Sequence, residues 1–340
     1  MNEEFRPTYV PFLDKLLGGG TAPSGVYGFL GPTGIGKTHL ASMIATNGAT
    51  CGSALEDTCQ QSFPWILFDI ETQHSQAVKR IFSHAARVKR ENVWIGHAAI
   101  QAYEQERLAD LPKKQGRLIS EVKRLARTDK VLVRQLTPIC SDDLYEKHSD
   151  IVVWKFTNIV DWIDQRINEI SSDSRLGGIV FDGVGDIWNH SPTTSSMTKR
   201  EFIHDFVDNF CRELSSTKQC PVWVSYQVNG TACKTSPLAL LSHRDATSCK
   251  TFARSLDACF VLGNPAENGI FAIQCTKSLS GSASLDRLTL MHDKDFATIV
   301  EVDDYVEDRY NQTWKRRPKN NTLLDQVDLI ELEEILKRLR

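Results

Sequence analysis

Two rhythms alternate along the chain. Compact apolar runs at residues 26–30, 65–70 and 178–182 read as buried strands. Between them, apolar residues recur every three or four positions over 38–45, 73–88, 158–170 and 201–215, which predicts helices with one face on a core. Further strand-like runs follow at 222–226, 258–262, 270–275, 287–291 and 298–302, the last four close together. A front that alternates strand and helix, followed by a strand-rich tail, predicts an α/β fold. Its central sheet is mostly parallel and flanked by helices, with an antiparallel C-terminal extension.

The rhythm breaks between residues 92 and 154. Residues 113–130 there read as a basic helix with Leu118, Val122, Leu125 and Ala126 on one face and Lys123, Arg124 and Arg127 mostly elsewhere. This is the solvated face of an inserted helix or, alternatively, a nucleic-acid or partner surface. Residues 311–321 are polar and basic and read as a linker. The helix that follows, 323–340, carries Lys337, Arg338 and Arg340 late, as the macrodipole favours. Leu329, Leu332, Leu336 and Leu339 suit docking on its own domain. The expected organisation is one domain over 1–305 with an inserted helical region at about 96–150, a basic linker over 306–321 and a terminal helix over 322–340.

Composition narrows the class. With 340 residues, 41% hydrophobic and 24% charged, the chain suits one large α/β core with embellishments, or two small domains. No run of about eighteen apolar residues points to a membrane span. The acidic start lacks the basic and apolar regions of a signal peptide, so a cytoplasmic protein is expected. Nine scattered cysteines without a C-x-x-C pair argue against a zinc ribbon and for reduced, mostly buried thiols. The net charge of −3 means that any nucleic-acid contact must come from local basic patches.

The chemistry begins at Gly31, Pro32, Thr33, Gly34, Ile35, Gly36, Lys37 and Thr38, a complete Walker A loop. A triphosphate needs inward-pointing backbone N–H groups, which the glycines allow. It also needs a cation at the β/γ-phosphates, Lys37, and a hydroxyl on Mg²⁺, Thr38. A strand leads in and a helix follows, so the phosphates face a helix N-terminus. ATP and Mg²⁺ are the expected ligands. Asp182, at the carboxyl end of an apolar strand, is the candidate second Mg²⁺ anchor. Glu71, ending the strand after the first helix, is placed to polarise an attacking water. Gln227 closes a later strand and could hydrogen-bond the γ-phosphate.

Taken together, these motifs resemble the RecA-fold ATPases, which include RecA/RadA recombinases, KaiC and DnaB-type helicases. Residues 12–20 look like their "LD-LLGGG" lead-in, and Asp69, Ile70 and Glu71 are similar to the "D-x-E" that carries the catalytic glutamate. Residues 225–228 are similar to the recombinases' "T-N-Q-V", whose glutamine couples nucleotide state to a DNA-facing loop. Residues 255–262 resemble the "DADVVL" strand, and 275–281 the helicases' "K-x-R-x-G". Leu279 stands where that pattern has an arginine finger, which leaves Lys277, or another cation such as Arg287, to act on a neighbour's γ-phosphate. The lead-in begins near residue 10, so a near-minimal motor core without a separate N-terminal domain is expected.

The resemblance places two polymer-facing loops at 189–200 and 228–254. They contain Lys199, Arg200, Lys234, Arg244, Lys250 and Arg254, point charges suited to tracking a single-stranded backbone; the plain alternative is two solvated loops. It implies an ATP-hydrolysing motor on DNA, single-stranded DNA favoured, assembled as a homo-oligomeric hexameric ring or filament. A ring-forming helicase or DNA-remodelling ATPase is the leading form. A recombinase-like single-strand-binding ATPase and a KaiC-like protein switch that never touches DNA are the alternatives.

Overall fold

The computed structural model describes residues 5–52, 63–93, 116–140, 156–171, 175–188, 198–228, 252–265, 269–279, 287–302, 305–308 and 313–316. The chain divides into two units, Met1–Glu301 and Val302–Arg340.

In the first unit, nine strands form one sheet. In chain order they are β1 (Val26–Gly31), β2 (Trp65–Asp69), β3 (Leu136–Cys140), β4 (Gly178–Asp182), β5 (Val222–Gln227), β6 (Ala258–Leu262), β7 (Ile270–Ser278), β8 (Arg287–Asp293) and β9 (Thr298–Glu301). Their spatial order is β3-β2-β4-β5-β1-β6-β7-β8-β9. The first six pair in parallel, and β7, β8 and β9 add antiparallel neighbours. The expected mostly parallel sheet with an antiparallel extension is therefore the observed one.

The apolar runs are continuous because both faces of the sheet are covered. On one face Ile66, Phe68, Phe181 and Val224 pack with Trp162 and Ile163 of α5 (Phe156–Ser171) and with Phe202 and Ile203 of α7 (Lys199–Asp205). On the other, Phe29, Leu67, Val180 and Trp223 pack with α1 (Pro11–Leu17) and α2 (Lys37–Thr50). Adjacent strand residues supply opposite faces, as the pleat requires. α2 is buried nearly all round, including every residue from Leu40 to Thr46. α3 (His74–Ala86) packs beside it. A short α6 (Val184–Ile187) follows β4, and α7 continues through a π-helical turn, Phe206–Cys211, into α8 (Arg212–Lys218).

Within the irregular stretch, α4 (Gly116–Gln135) runs past the expected limit at residue 130 and leads directly into β3. The sequence reading has no strand in this irregular stretch; among the described residues β3 lies at the sheet's edge, where Pro138 is tolerated. In the second unit, β10 (Tyr305–Asp308) and β11 (Thr313–Arg316) form an antiparallel hairpin across much of the stretch read as a linker. The terminal helix expected over 322–340 lies outside the described residues.

The thiols are not uniformly reduced. Cys51 is disulfide-bonded, whereas Cys140, Cys211, Cys220, Cys259 and Cys275 are free and buried. Among the described residues, no helix is long and apolar enough to cross a membrane.

Candidate nucleotide-binding and catalytic site

β2, β4, β5 and β1 are neighbours and run parallel, so their carboxyl ends share one edge of the sheet. Gly31, Asp69, Asp182 and Gln227 each end one of these strands. The Walker A loop leaves β1 at Gly31 and enters α2 at Lys37. Gly36 is the N-cap and brings no side chain to the first N–H groups of the helix, which leaves them for an anion. Its φ of 107°, and a Cβ that would stand 3.1 Å from the His292 ring, account for glycine here. Ile35 is buried and anchors the loop, while Thr33 and Gly34 are exposed. The Lys37 ammonium is folded onto the loop and donates to the carbonyls of Gly31 (3.1 Å) and Pro32 (2.9 Å).

Asp182 is fully buried and lies directly opposite Asp69 in the register of β2 and β4. The Ser225 hydroxyl donates to its Oδ1 at 2.5 Å and accepts from the Gly183 N–H at 2.8 Å. Among the described residues, Oδ2 has no hydrogen-bond partner. Burial, and then the Asp69 charge, push the Asp182 carboxyl up to about 6; Ser225, Thr38 and Lys37 pull against that rise. A buried carboxylate with one orphaned oxygen beside a threonine hydroxyl fits a divalent cation of the Mg²⁺ type, which takes oxygen ligands.

Glu71 is more open. Its pKa is raised to about 7, first by partial loss of water, then by the charges of Asp182 and Asp186 and by a hydrogen bond with Asp186; Lys37 opposes this. Gly183, with φ 84°, leaves room for it: a Cβ there would lie 2.9 Å from Glu71 Cγ. Behind Glu71, the buried Asp69 accepts from the Thr72 N–H (3.1 Å), the Thr72 hydroxyl (2.6 Å) and the Arg80 guanidinium. Arg80 also donates to Thr72 Oγ1 at 2.6 Å. Gln227 pairs with Gly31 in register, and its Nε2 donates to Thr33 Oγ1. The Val228 N–H donates to the Gly31 carbonyl at 3.1 Å.

Glu71, Lys37, Thr38, Asp182 and Gln227 thus gather at one edge, with the Walker A backbone between them. Sequence reasoning missed Ser225, Thr72, Arg80 and Asp186, which surround the carboxylates. It also missed His39 and His292, whose rings meet at 4.5 Å beside Gly36. The signal for Ser225 was its place two residues before Gln227, on the next site-facing position of the same strand. Nothing local marks Arg80, because its partner lies eleven residues back on another element.

Of the cations expected in the two loops, Lys199, Arg200 and Arg254 fall among the described residues. Lys199 starts α7, its Nζ about 3.7 Å from where a Cβ on Gly185 would stand, and Arg200 beside it is exposed. Arg254 is exposed on the 3₁₀ turn Phe252–Ser255. Lys234, Arg244 and Lys250 lie outside the described residues. Lys277 sits on β7 and donates to the carbonyls of Ala253 (2.9 Å), Arg254 (2.6 Å) and Leu256. It caps that turn in its own chain. Leu279 is exposed, and Arg287 opens β8.

No family model and no curated protein matches the chain. Among solved structures, it is similar to one titled as an ATPase domain, with TM-score 0.61 and 11% identity, over 89% of this chain and 93% of that one. It is also similar to "The Structure Of A DnaB-Like Replicative Helicase And Its Interactions With Primase", with TM-score 0.57 and 13% identity, over 88% of this chain and 62% of that one. Sheet order, Walker A position and these likenesses agree: the chain has the RecA-like fold, with its Walker A loop between the first strand and the helix that follows.

Proposed function

We propose that the protein hydrolyses ATP and uses the cycle to act on DNA, as a ring-forming helicase or a related DNA-remodelling ATPase. The observation that carries the reading is the placement of Glu71 beside Asp182 and Lys37 at the strand ends where the Walker A loop opens. The loop's N–H groups bind the phosphates, and Lys37 leaves the Gly31 and Pro32 carbonyls for the β/γ oxygens. Thr38 and Asp182 would hold Mg²⁺, which supplies positive charge to the phosphate oxygens. Glu71 accepts the proton of the attacking water. Gln227, already bonded to Thr33, transmits the change at the γ-phosphate to the chain after Val228.

Likeness to domains titled as helicase and ATPase supports the DNA-directed form over a protein switch. Homo-oligomers, as a ring or filament, and the basic positions Lys199, Arg200, Lys234, Arg244, Lys250 and Arg254 as the nucleic-acid track belong to the same reading. Lys277 serves as a cation for a neighbouring site only by releasing three carbonyls.

The test is ATP turnover with and without single-stranded DNA at low salt, on the parent, Lys37→Ala and Glu71→Gln. The parent should hydrolyse ATP and be stimulated by DNA. Lys37→Ala should lose nucleotide binding. Glu71→Gln should bind nucleotide yet turn over about 10²–10³-fold more slowly. Hydrolysis indifferent to DNA would favour the protein switch. Particle images with an ATP analogue separate rings from filaments.

A further inference from the structure

We infer that Thr72 and Arg80 are positioning residues for hydrolysis: with Asp69 they form a closed clamp that holds Glu71 in line with the nucleotide. The inference rests on the proposed role of Glu71 as base. Glu71 lies on the short connection between β2 and α3, where an unsupported backbone would sample many directions and carry the side chain with it. On its N-terminal side, Asp69 ends β2 and is wholly buried, and the Ile70 N–H is tied to the Asp182 carbonyl at 3.2 Å. On its C-terminal side, Thr72 returns both its N–H and its hydroxyl to the Asp69 carboxylate. Arg80 reaches back from α3 and bonds Asp69 and Thr72 together. Two residues, Ile70 and Glu71, are therefore bracketed by a ring of four hydrogen bonds whose members sit on β2, the connection and α3.

The chemistry of the ring explains its residue types. Asp69 is an all-acceptor group that takes three donors, and a single Arg80 nitrogen, Nη2, carries two hydrogens and so reaches the Asp69 and Thr72 oxygens at once. A hydroxyl is the one small group that both donates to the carboxylate and accepts from the guanidinium, so Thr72 links the other two. The ring acts through Glu71, and a base displaced by about 1 Å can lose about 100-fold in rate.

Thr72→Val keeps the shape and removes the hydroxyl, and Thr72→Ser keeps the hydroxyl. Both are compared with the parent and Glu71→Gln for kcat, for affinity toward a non-hydrolysable ATP analogue, and for urea unfolding. The expected result is a kcat lowered about 10–100-fold in Thr72→Val, with analogue affinity close to the parent's, an unfolding midpoint lowered by the lost hydrogen bonds but a chain fully folded without urea, and recovery to within about threefold in Thr72→Ser. A Thr72→Val that turns over like the parent, or loses affinity in step with kcat, overturns the clamp. If Glu71→Gln itself keeps full turnover, the base assignment fails instead, and the two failures are told apart. Arg80→Lys is the second variant: it keeps a positive charge for Asp69, but its shorter side chain does not bring a donor to the position of Nη2 between Asp69 and Thr72, and it should lower kcat with analogue affinity retained. Unchanged kcat there also overturns the proposal.

Discussion

At the scale of single residues, the site sets the buried charges of Lys37, Asp69 and Asp182 beside the open carboxylate of Glu71. Asp182 is wholly buried and carries one oxygen without a partner among the described residues, a poor arrangement for stability and a good one for binding a cation. Ser225 makes it tolerable. It orients Oδ1 and at the same time satisfies the Gly183 N–H, whose residue gives room to Glu71. Ser225→Ala strands both groups and should destabilise the chain by about 1–3 kcal/mol, read from urea unfolding. The same variant should need more Mg²⁺ for half-maximal ATP turnover, because a carboxylate that is not held must be oriented on binding. Unchanged Mg²⁺ dependence would make Ser225 structural alone.

At the scale of elements, side chains tie the Walker A helix to its surroundings. His84 of α3 bridges two neighbours, with Nε2 2.8 Å from Asn47 Oδ1 on α2 and Nδ1 3.1 Å from Thr298 Oγ1 on β9. Both bonds suit a neutral ring that donates at one nitrogen and accepts at the other. Burial, and then the Arg87 charge, bring its pKa down from 6.5 to about 4. The folded value lies below the unfolded one, so the unfolded chain takes up the proton first as pH falls. The stabilising contribution is therefore whole above about 6.5 and disappears as pH drops through about 4. His84→Gln should be less stable than the parent by about 1–2 kcal/mol at about pH 8. The gap should close between pH 6.5 and about 4, which unfolding curves across that range would read. A constant gap would mean that the ring's packing, and not its neutral hydrogen bonding, carries the effect.

At the scale of the whole molecule, the parallel strands β2, β4, β5 and β1 deliver their ends to one edge, and β7, β8 and β9 widen the sheet on the Walker A side. His292 on β8 lies against Gly36, so the extension buttresses the loop. The proposed DNA track would rest on local cations, because the overall charge of −3 adds no general attraction. If Lys199 and Arg200 each neutralise one phosphate, replacing both with alanine should weaken single-stranded DNA binding for every sequence alike. It should also reduce the slope of log K against log[salt] by about 1.4, at about 0.7 per contact. Fluorescence anisotropy over a salt series measures both. An unaltered slope removes this pair from the track.

The sequence by itself determined what depends on neighbours in the chain. Buried strands show as apolar runs such as 178–182, amphipathic helices as their period, and the Walker A loop as glycine spacing that only a few backbone shapes require. It marked Glu71, Asp182 and Gln227 because strand ends are readable locally. Tertiary structure decided what depends on contact across the fold. It set the order that places β4 and β5 between β2 and β1, and the edge position that lets β3 keep Pro138. It also set the partners of Asp69 and Asp182, and the three carbonyls that occupy Lys277. Periodicity reports which face of an element is apolar, but a hydrogen bond between residues 182 and 225 exists only once the sheet has brought two strands together.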